Sequence, residues 1–373
     1  MKKLAVIGSS GSIGRQTLEV VRRYPEKFSV ASLAVRESVG TLERQIREFR
    51  PTFAAVADES IAAGFPREIC GCRVAFGAEA VAQAASVPEA DMTVMAVVGM
   101  SGLRPVLAAI EAGKDIALAN KESLVAAGAA VTSAAQKKCV KIIPVDSEHS
   151  AVWQCLRFGG DVRRIILTAS GGPFRGMTRD RLREVSPEQA VRHPNWNMGK
   201  KISVDSATMM NKGLEIIEAR WLFGTDKIDY VIHPESIIHS MVEFVDGAVA
   251  AQMSTPSMNI PIQLALSYPD RLPSGTAPLA FDKNLTFMPP DEKNFPLPAV
   301  CREAMRKGGN IPCAVNAANE AAVKLFLSHK IRFTDIYDIV EKYLTYTGFT
   351  ADPDTADIYA TFDDVYSGVM REN

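Results

Sequence analysis

Short apolar runs alternate with amphipathic stretches through the first 150 residues. Residues 4–7, 28–35, 53–57, 91–97, 115–118 and 140–145 read as strands. Residues 13–23, 41–49, 103–112 and 123–137 read as helices, and Pro51 ends the second of them. Strand–helix alternation of this kind predicts an α/β fold with a parallel sheet covered on both faces, whose ligands bind at the carboxyl ends of the strands. Past residue 150 the pattern loosens. Strands are expected at 164–168, 230–232 and 240–244, and a helix at 214–223. Residues 190–200 show no clear period and read as a mobile loop. Seven prolines between residues 269 and 298 exclude a long helix there. Helices follow at 299–307, 314–327, 333–346 and 361–371. The expected division is an N-terminal sheet domain at 1–146, a central α/β domain at 147–268, a linker at 269–298 and a C-terminal helical domain at 299–373.

Composition narrows the class only slightly. At 373 residues, 47% hydrophobic and 23% charged, the chain has the make-up of a globular protein long enough for two or three cores. A net charge of −1, with Lys and Arg spread along the chain, argues against nucleic acid as the main partner. No apolar run reaches membrane-spanning length. Lys2 and Lys3 precede an apolar run that stops at Gly8, which suits a first strand better than a signal peptide. Cys70 and Cys72 have no second pair at zinc-finger spacing, so the six cysteines are expected to be the reduced thiols of a cytoplasmic protein.

Candidate chemistry changes the picture more. Gly8-Ser9-Ser10-Gly11-Ser12-Ile13-Gly14 lies between an expected strand and helix. Glycines there admit a pyrophosphate, and the helix N-terminus receives it, which makes the first domain Rossmann-like. Arg36, Glu37 and Ser38 end the second strand. A carboxylate there favours a free ribose hydroxyl and an arginine a 2′-phosphate; Arg36 with Ser38 tilts the balance to NADPH. Asp146 and Glu148 flank Ser147 directly after a strand. In an extended segment residues two apart point the same way, so both carboxylates could reach one ion. Glu215 would complete three hard oxygen ligands suited to Mg²⁺ or Mn²⁺, with Co²⁺ a further candidate. Ser170, in a Gly-rich turn, and Ser206, Asn211 and Lys212, ahead of a helix, offer donors for a phosphate, though an ordinary capped loop has the same composition. Trp196, in the polar loop, reads as part of a lid; Trp153 and Trp221 read as core.

These segments closely resemble the 1-deoxy-D-xylulose 5-phosphate reductoisomerase family. The likeness runs through GSSGSIG at 8–14, ALANKESLV at 117–125, VDSEHS at 145–150, SGGPF at 170–174, RHPNWNMG at 192–199 and KISVDSATMMNKGLEIIEARWLF at 201–223. It covers essentially the whole chain, and ISVDSATMMNKGLE is its most specific part, since no general fold requirement produces it. The resemblance implies NADPH- and metal-dependent isomerisation and reduction of 1-deoxy-D-xylulose 5-phosphate by a homodimer, within non-mevalonate isoprenoid biosynthesis. It gives Asp146, Glu148 and Glu215 as metal ligands and Ser170, Ser206, Asn211 and Lys212 as phosphate contacts. It sets Ser147, Lys121 and His193 on the substrate backbone, with His193 and Trp196 on the closing loop. It lines the cofactor with Asn120, Lys121, Glu122, Met198, Gly199 and Met258, beside Gly8 to Ile13. The chain departs from the family where Gly-Lys-Asn usually follows the second strand, having Arg36-Glu37-Ser38, and where Ala169 replaces a common glycine. Two rivals stay open: an NAD(P)-dependent dehydrogenase of sugar-acid or homoserine type sharing only the N-terminal domain, and a nucleotide-sensing binding protein on the same fold.

Overall fold

The computed structural model describes residues 1–373 apart from Pro194, Asn197 and Lys283. The chain forms two compact units, neither continuous in sequence. One comprises Met1–Ser123, Val131–Ser150 and Ser257–Thr276; the other comprises Leu124–Ala130, Ala151–Pro256 and Ala277–Asn373.

The first unit is built on eight strands: β1 (Lys2–Ile7), β2 (Phe28–Val35), β3 (Phe53–Val56), β4 (Glu68–Ile69), β5 (Cys72–Phe76), β6 (Met92–Met95), β7 (Asp115–Leu118) and β8 (Ile142–Pro144). They lie in the order β4-β5-β3-β2-β1-β6-β7-β8. Every pair is parallel except the edge pair β4–β5. Leu4, Ala5, Val6 and Ile7 are all buried, as expected of a parallel strand covered on both faces. The strand order reverses between β1 and β6, which opens a crevice at their carboxyl ends. Helices Ser12–Arg23, Val39–Phe49, Ala78–Ala85, Leu103–Glu111 and Lys121–Lys138 alternate with the strands. A distant helix, Asn259–Ser267, returns to pack on Ser12–Arg23, and Lys2 Nζ donates to the Leu266 carbonyl at 2.6 Å.

The second unit carries β9 (Val162–Ala169), β10 (Ile228–Ile232), β11 (Ile238–Phe244) and β12 (Val249–Met253) in the order β10-β9-β11-β12. Its core joins this sheet to helices Met210–Phe223, Leu297–Lys307, Ile311–Leu327 and Asp335–Lys342 through Leu167, Ile216, Ala318, Phe326, Phe333 and Tyr337. Ile311–Leu327 is buried on nearly every side, with Asp335–Lys342 and Thr355–Glu372 packed against it.

The mixed α/β fold, its parallel sheet and the C-terminal helices match the sequence reading. Two local expectations are corrected. The chain does not stay extended through Asp146 and Glu148: β8 stops at Pro144, and helix Ser147–Cys155 begins at once, with the Ser150 amide donating to the Asp146 carbonyl at 2.8 Å. Glu148 therefore lies in a first helical turn, where the helix dipole favours a carboxylate. Nor do Ser206, Asn211 and Lys212 precede a helix. Ser206 lies within Lys200–Ala207, and Asn211 and Lys212 open Met210–Phe223. Packing overrides weak local propensity here, because Ser203, Val204, Asp205 and Ala207 are all buried.

Candidate active site

In the first unit, glycine is required at the Gly-rich loop by close approach. Gly8 has φ +91°, and a Cβ on it would stand 2.6 Å from the Ala96 carbonyl oxygen; a Cβ on Gly14 would collide with the Gly8 backbone. The amides of Gly8 and Ser9 both donate to the Ala34 carbonyl at 2.9 Å, fastening the loop to the end of β2. Helix Ser12–Arg23 begins there with no acidic residue in its first turn, which leaves its positive end suited to an anion. Ser10 and Ile13 are half-buried, and Gly11 and Ser12 are exposed. Ser9 is fully buried, its hydroxyl donating to Gln45 Oε1 at 2.7 Å while Gln45 Nε2 donates to the Ser9 carbonyl at 2.9 Å. Ser9 is thus fixed by its own fold, a partnership 36 residues distant that the motif does not reveal. Arg36, Glu37 and Ser38 are exposed just past β2.

Asn120, Lys121 and Glu122 follow β7. Asn120 is buried and caps helix Lys121–Lys138, its Oδ1 accepting from the Ser123 amide at 3.2 Å. Its Nδ2 donates to the carbonyls of Val97 and Gly99 and to Glu122 Oε2 at 3.0–3.2 Å. Asn120 therefore shapes the loop after β6. Lys121 Nζ lies 2.7 Å from Asp146 Oδ2 in a largely buried pair. Burial alone would raise the Asp146 carboxyl, but the Lys121 ammonium and His149 outweigh it and hold the group well below the usual carboxylate range. Ser147 Oγ donates to Glu148 Oε2 at 2.5 Å. Met258 is half-buried ahead of helix Asn259–Ser267.

In the second unit, β9 runs into Ser170-Gly171-Gly172. A Cβ on Gly172, at φ +69°, would stand 2.7 Å from the Ser206 carbonyl oxygen, so glycine lets this turn meet the end of helix Lys200–Ala207. The link from that helix to Met210–Phe223 passes through Met209 at φ +64°, an uncommon conformation for a residue with a side chain. Asn211 and Lys212 both donate to the Glu215 carboxylate, and Lys212 and Glu215 are buried. Asp205, unassigned by the sequence reading, is buried, paired with Lys201 at 2.9 Å and accepting from Asn319 Nδ2 at 2.8 Å. His193 Nδ1 accepts from the amides of Asn195 and Trp196 at 3.1 and 3.0 Å. Its proton therefore sits on Nε2, which donates to Ser170 Oγ at 3.0 Å and leaves the Ser170 hydroxyl proton to point elsewhere. Trp196 and Met198 are half-buried, Gly199 is exposed, and the Trp196 ring lies 6.3 Å from that of His239. Trp153 and Trp221 are half-buried on helices; the Trp221 indole occupies the space a side chain at Gly128 would need.

The structure thus gathers Lys121, Asp146, Ser147 and Glu148 in one unit and Ser170, His193, Ser206, Asn211, Lys212 and Glu215 in the other. Sequence models of the reductoisomerase match along the chain: 1-deoxy-D-xylulose 5-phosphate reductoisomerase over residues 4–128, its C-terminal domain over 142–223, and the DXP reductoisomerase C-terminal domain over 253–366. The reductoisomerase of Pelotomaculum thermopropionicum is 49% identical over 368 residues, covering 96% of this chain and 95% of its own. That of Chlorobaculum tepidum is 51% identical over 356 residues, covering 92% of each. Among solved structures, DOX-P reductoisomerase in complex with NADPH, fosmidomycin and magnesium superposes with a TM-score of 0.94 at 38% identity, over 100% of this chain and 98% of that one. The Zymomonas mobilis enzyme in complex with NADPH gives 0.91 at 40% identity, with the same coverage. A dehydrogenase sharing only the nucleotide domain does not account for matches that reach residue 366. The chain belongs to the 1-deoxy-D-xylulose 5-phosphate reductoisomerase family.

Proposed function

We propose that this chain isomerises 1-deoxy-D-xylulose 5-phosphate and reduces the resulting aldehyde to 2-C-methyl-D-erythritol 4-phosphate, using NADPH and a divalent cation, in non-mevalonate isoprenoid biosynthesis. One observation carries the reading beyond family membership. Residues Lys200–Ala207 and Met210–Phe223 fold as two successive helices, and at the start of the second Asn211 and Lys212 donate to the buried carboxylate of Glu215. The donor set suits both groups. Gly8 and Gly14 let the loop close on Ala96 and on itself, which sets the N-terminus of helix Ser12–Arg23, free of acidic residues, where it can receive a pyrophosphate. Asp146, Glu148 and Glu215 are the hard oxygen ligands that Mg²⁺, Mn²⁺ or Co²⁺ accepts.

When bound, the cation supplies Lewis-acid polarisation of the substrate carbonyl and NADPH supplies the hydride. The rest falls to the chain. Ser170, Ser206, Asn211 and Lys212 hold the phosphate. The Ser170 hydroxyl already accepts from His193 Nε2 and the Gly172 amide, so its proton is directed to a phosphate oxygen. Ser147 and His193 orient the substrate backbone. Lys121 keeps a positive charge near the oxyanion that develops as the C3–C4 bond breaks. Trp196 closes over the ligand and excludes water from the reactive enolate. Gly8 to Ile13, Arg36, Ser38, Asn120 to Glu122, Met198, Gly199 and Met258 form the cofactor's surroundings, Asn120 by shaping the loop it caps. Roles divide as nucleotide binding in 1–146, catalysis in 147–268 with the closing loop at 190–200, a linker at 269–298 and support from 299–373, except that helix Asn259–Ser267 packs with the first unit and serves nucleotide binding.

We place the enzyme in the cytoplasm as a homodimer. All six cysteines are free, which suits a reducing compartment. Among the described residues no helix is long and apolar enough to cross a membrane. The β12 edge of the second sheet carries Val249, 51% exposed, with Phe158 and Val245 nearby at 78% and 62%; a second copy of the chain would cover such an edge. The deciding assay is NADPH consumption with 1-deoxy-D-xylulose 5-phosphate, before and after exhaustive chelation. Turnover that disappears with chelation and returns with Mg²⁺ or Mn²⁺ is expected; a full rate after chelation removes the metal role, and no turnover under any condition removes the activity.

A further inference from the structure

We propose that Glu37 is a specificity-determining residue for the cofactor's adenosine ribose, and that with Arg36 it makes this chain accept a free 2′-hydroxyl as well as a 2′-phosphate. The inference rests on the reading that a dinucleotide binds at the Gly-rich loop. Because the Ala34 carbonyl takes the amides of both Gly8 and Ser9, the residues after β2 flank that loop, where the ribose of a bound dinucleotide lies. Arg36 Nη2 stands 3.1 and 3.2 Å from the two carboxylate oxygens of Glu37, and the side chains are 80% and 56% exposed. An ion pair this open contributes little, so an arriving phosphate can draw Arg36 away. The carboxylate stays behind. It repels a phosphate dianion and offers an acceptor to a 2′-hydroxyl.

Other features divide evenly around it. Helix Val39–Phe49 has no acidic residue in its first turn, and Ser38 ahead of it makes no side-chain capping bond, so a helix N-terminus and a hydroxyl remain to favour phosphate. Against them stands Asp58, whose amide donates to the Arg36 carbonyl at 3.0 Å. Its carboxyl is held low by the Ser60 hydroxyl and amide, with a smaller contribution from Arg36. Arg36 therefore pairs with one carboxylate and lies in the field of a second before any phosphate arrives.

The test uses ligand binding to the intact protein without turnover. Dissociation constants for 2′,5′-ADP and 5′-AMP are measured by calorimetry for the wild type, Glu37→Gln, Glu37→Ser and Arg36→Ala. Removing the Glu37 charge should tighten 2′,5′-ADP by about fivefold and leave 5′-AMP unchanged or weaker. Arg36→Ala should abolish the preference for 2′,5′-ADP. NADPH and NADH should follow the same order. If both Glu37 variants bind normally with an unaltered ratio of the two constants, Glu37 sets no specificity, while the nucleotide site stands. If neither ligand binds the wild-type protein, the site itself is misplaced and the proposal falls with it.

Discussion

Two of the three acidic side chains proposed for the metal face a buried ammonium: Asp146 meets Lys121, and Glu215 meets Lys212. Lys121 helps keep Asp146 ionised, and each pair aims its carboxylate within a low-dielectric interior, where an unpaired charge would be costly. They also set the outcome of substitution. Glu215→Gln retains an acceptor for Asn211 and Lys212 but removes the charge that balances the lysine. Turnover should fall by on the order of a hundredfold through loss of a ligand. Stability should fall by about 1.5–3 kcal/mol through weakening of a charge-assisted bond, short of unfolding. Steady-state rates beside thermal melting separate the two effects. A near-wild-type rate in the folded variant would remove Glu215 from the site.

At the scale of elements, the parallel sheet was readable because its strands are apolar on both faces. Residues 28–35 needed no partner information to be recognised as β2. The helices bearing the chemistry were harder. Ile202 to Ala207 is rich in Ser and Asp and becomes helical because tertiary contacts bury it, including the bond from Asn319 to Asp205 across 114 residues. Asp146 and Glu148 looked like one face of a strand because nothing in the local sequence announces that β8 ends at Pro144. Likewise the roles of Ser9 and Asn120 depend on partners that only the fold supplies, Gln45 and the 97–99 loop. The loop at 190–200 is where element and chemistry meet. His193 Nδ1 ties it back on itself by accepting hydrogen bonds from the Asn195 and Trp196 amides, and Asn195 Nδ2 donates to the Pro234 carbonyl and Ser236 Oγ at 2.6 and 3.0 Å. Trp196→Ala should lower turnover and weaken substrate binding with little change in melting temperature, since the side chain is only half-buried. Proteolysis and hydrogen exchange of the loop should slow when a phosphonate analogue binds. Equal protection in both states, or a variant melting many degrees lower, would make Trp196 a core residue.

For the whole molecule, thiol burial ties stability to pH. Cys70 and Cys139 are exposed, whereas Cys72, Cys155, Cys301 and Cys313 are buried. Burial pushes the Cys155 thiol up to about 11, Cys72 and Cys313 to about 12, and Cys301 upward as well. An unfolded thiol ionises near about 8.5. Between that pH and the folded values the unfolded chain has lost protons that the native chain keeps, so the thiols' contribution to stability is whole below about pH 8.5 and declines as pH rises. Native protein should yield two rapidly alkylated cysteines and denatured protein six. Thermal stability should drop progressively above pH 8.5. Fast modification of all six thiols in the native state would contradict this burial. The return of helix Asn259–Ser267 to the first unit bears on how the protein is made. During synthesis the nucleotide-binding sheet can be complete in strands once residue 150 has emerged, yet helix Ser12–Arg23 lacks its cover, and Lys2 its acceptor, until residue 267 follows. The nascent chain therefore carries an unfinished apolar face through more than a hundred further residues. A product terminated near residue 150 should be captured by chaperones or aggregate, and supplying residues 257–276 on a flexible tether should restore its solubility.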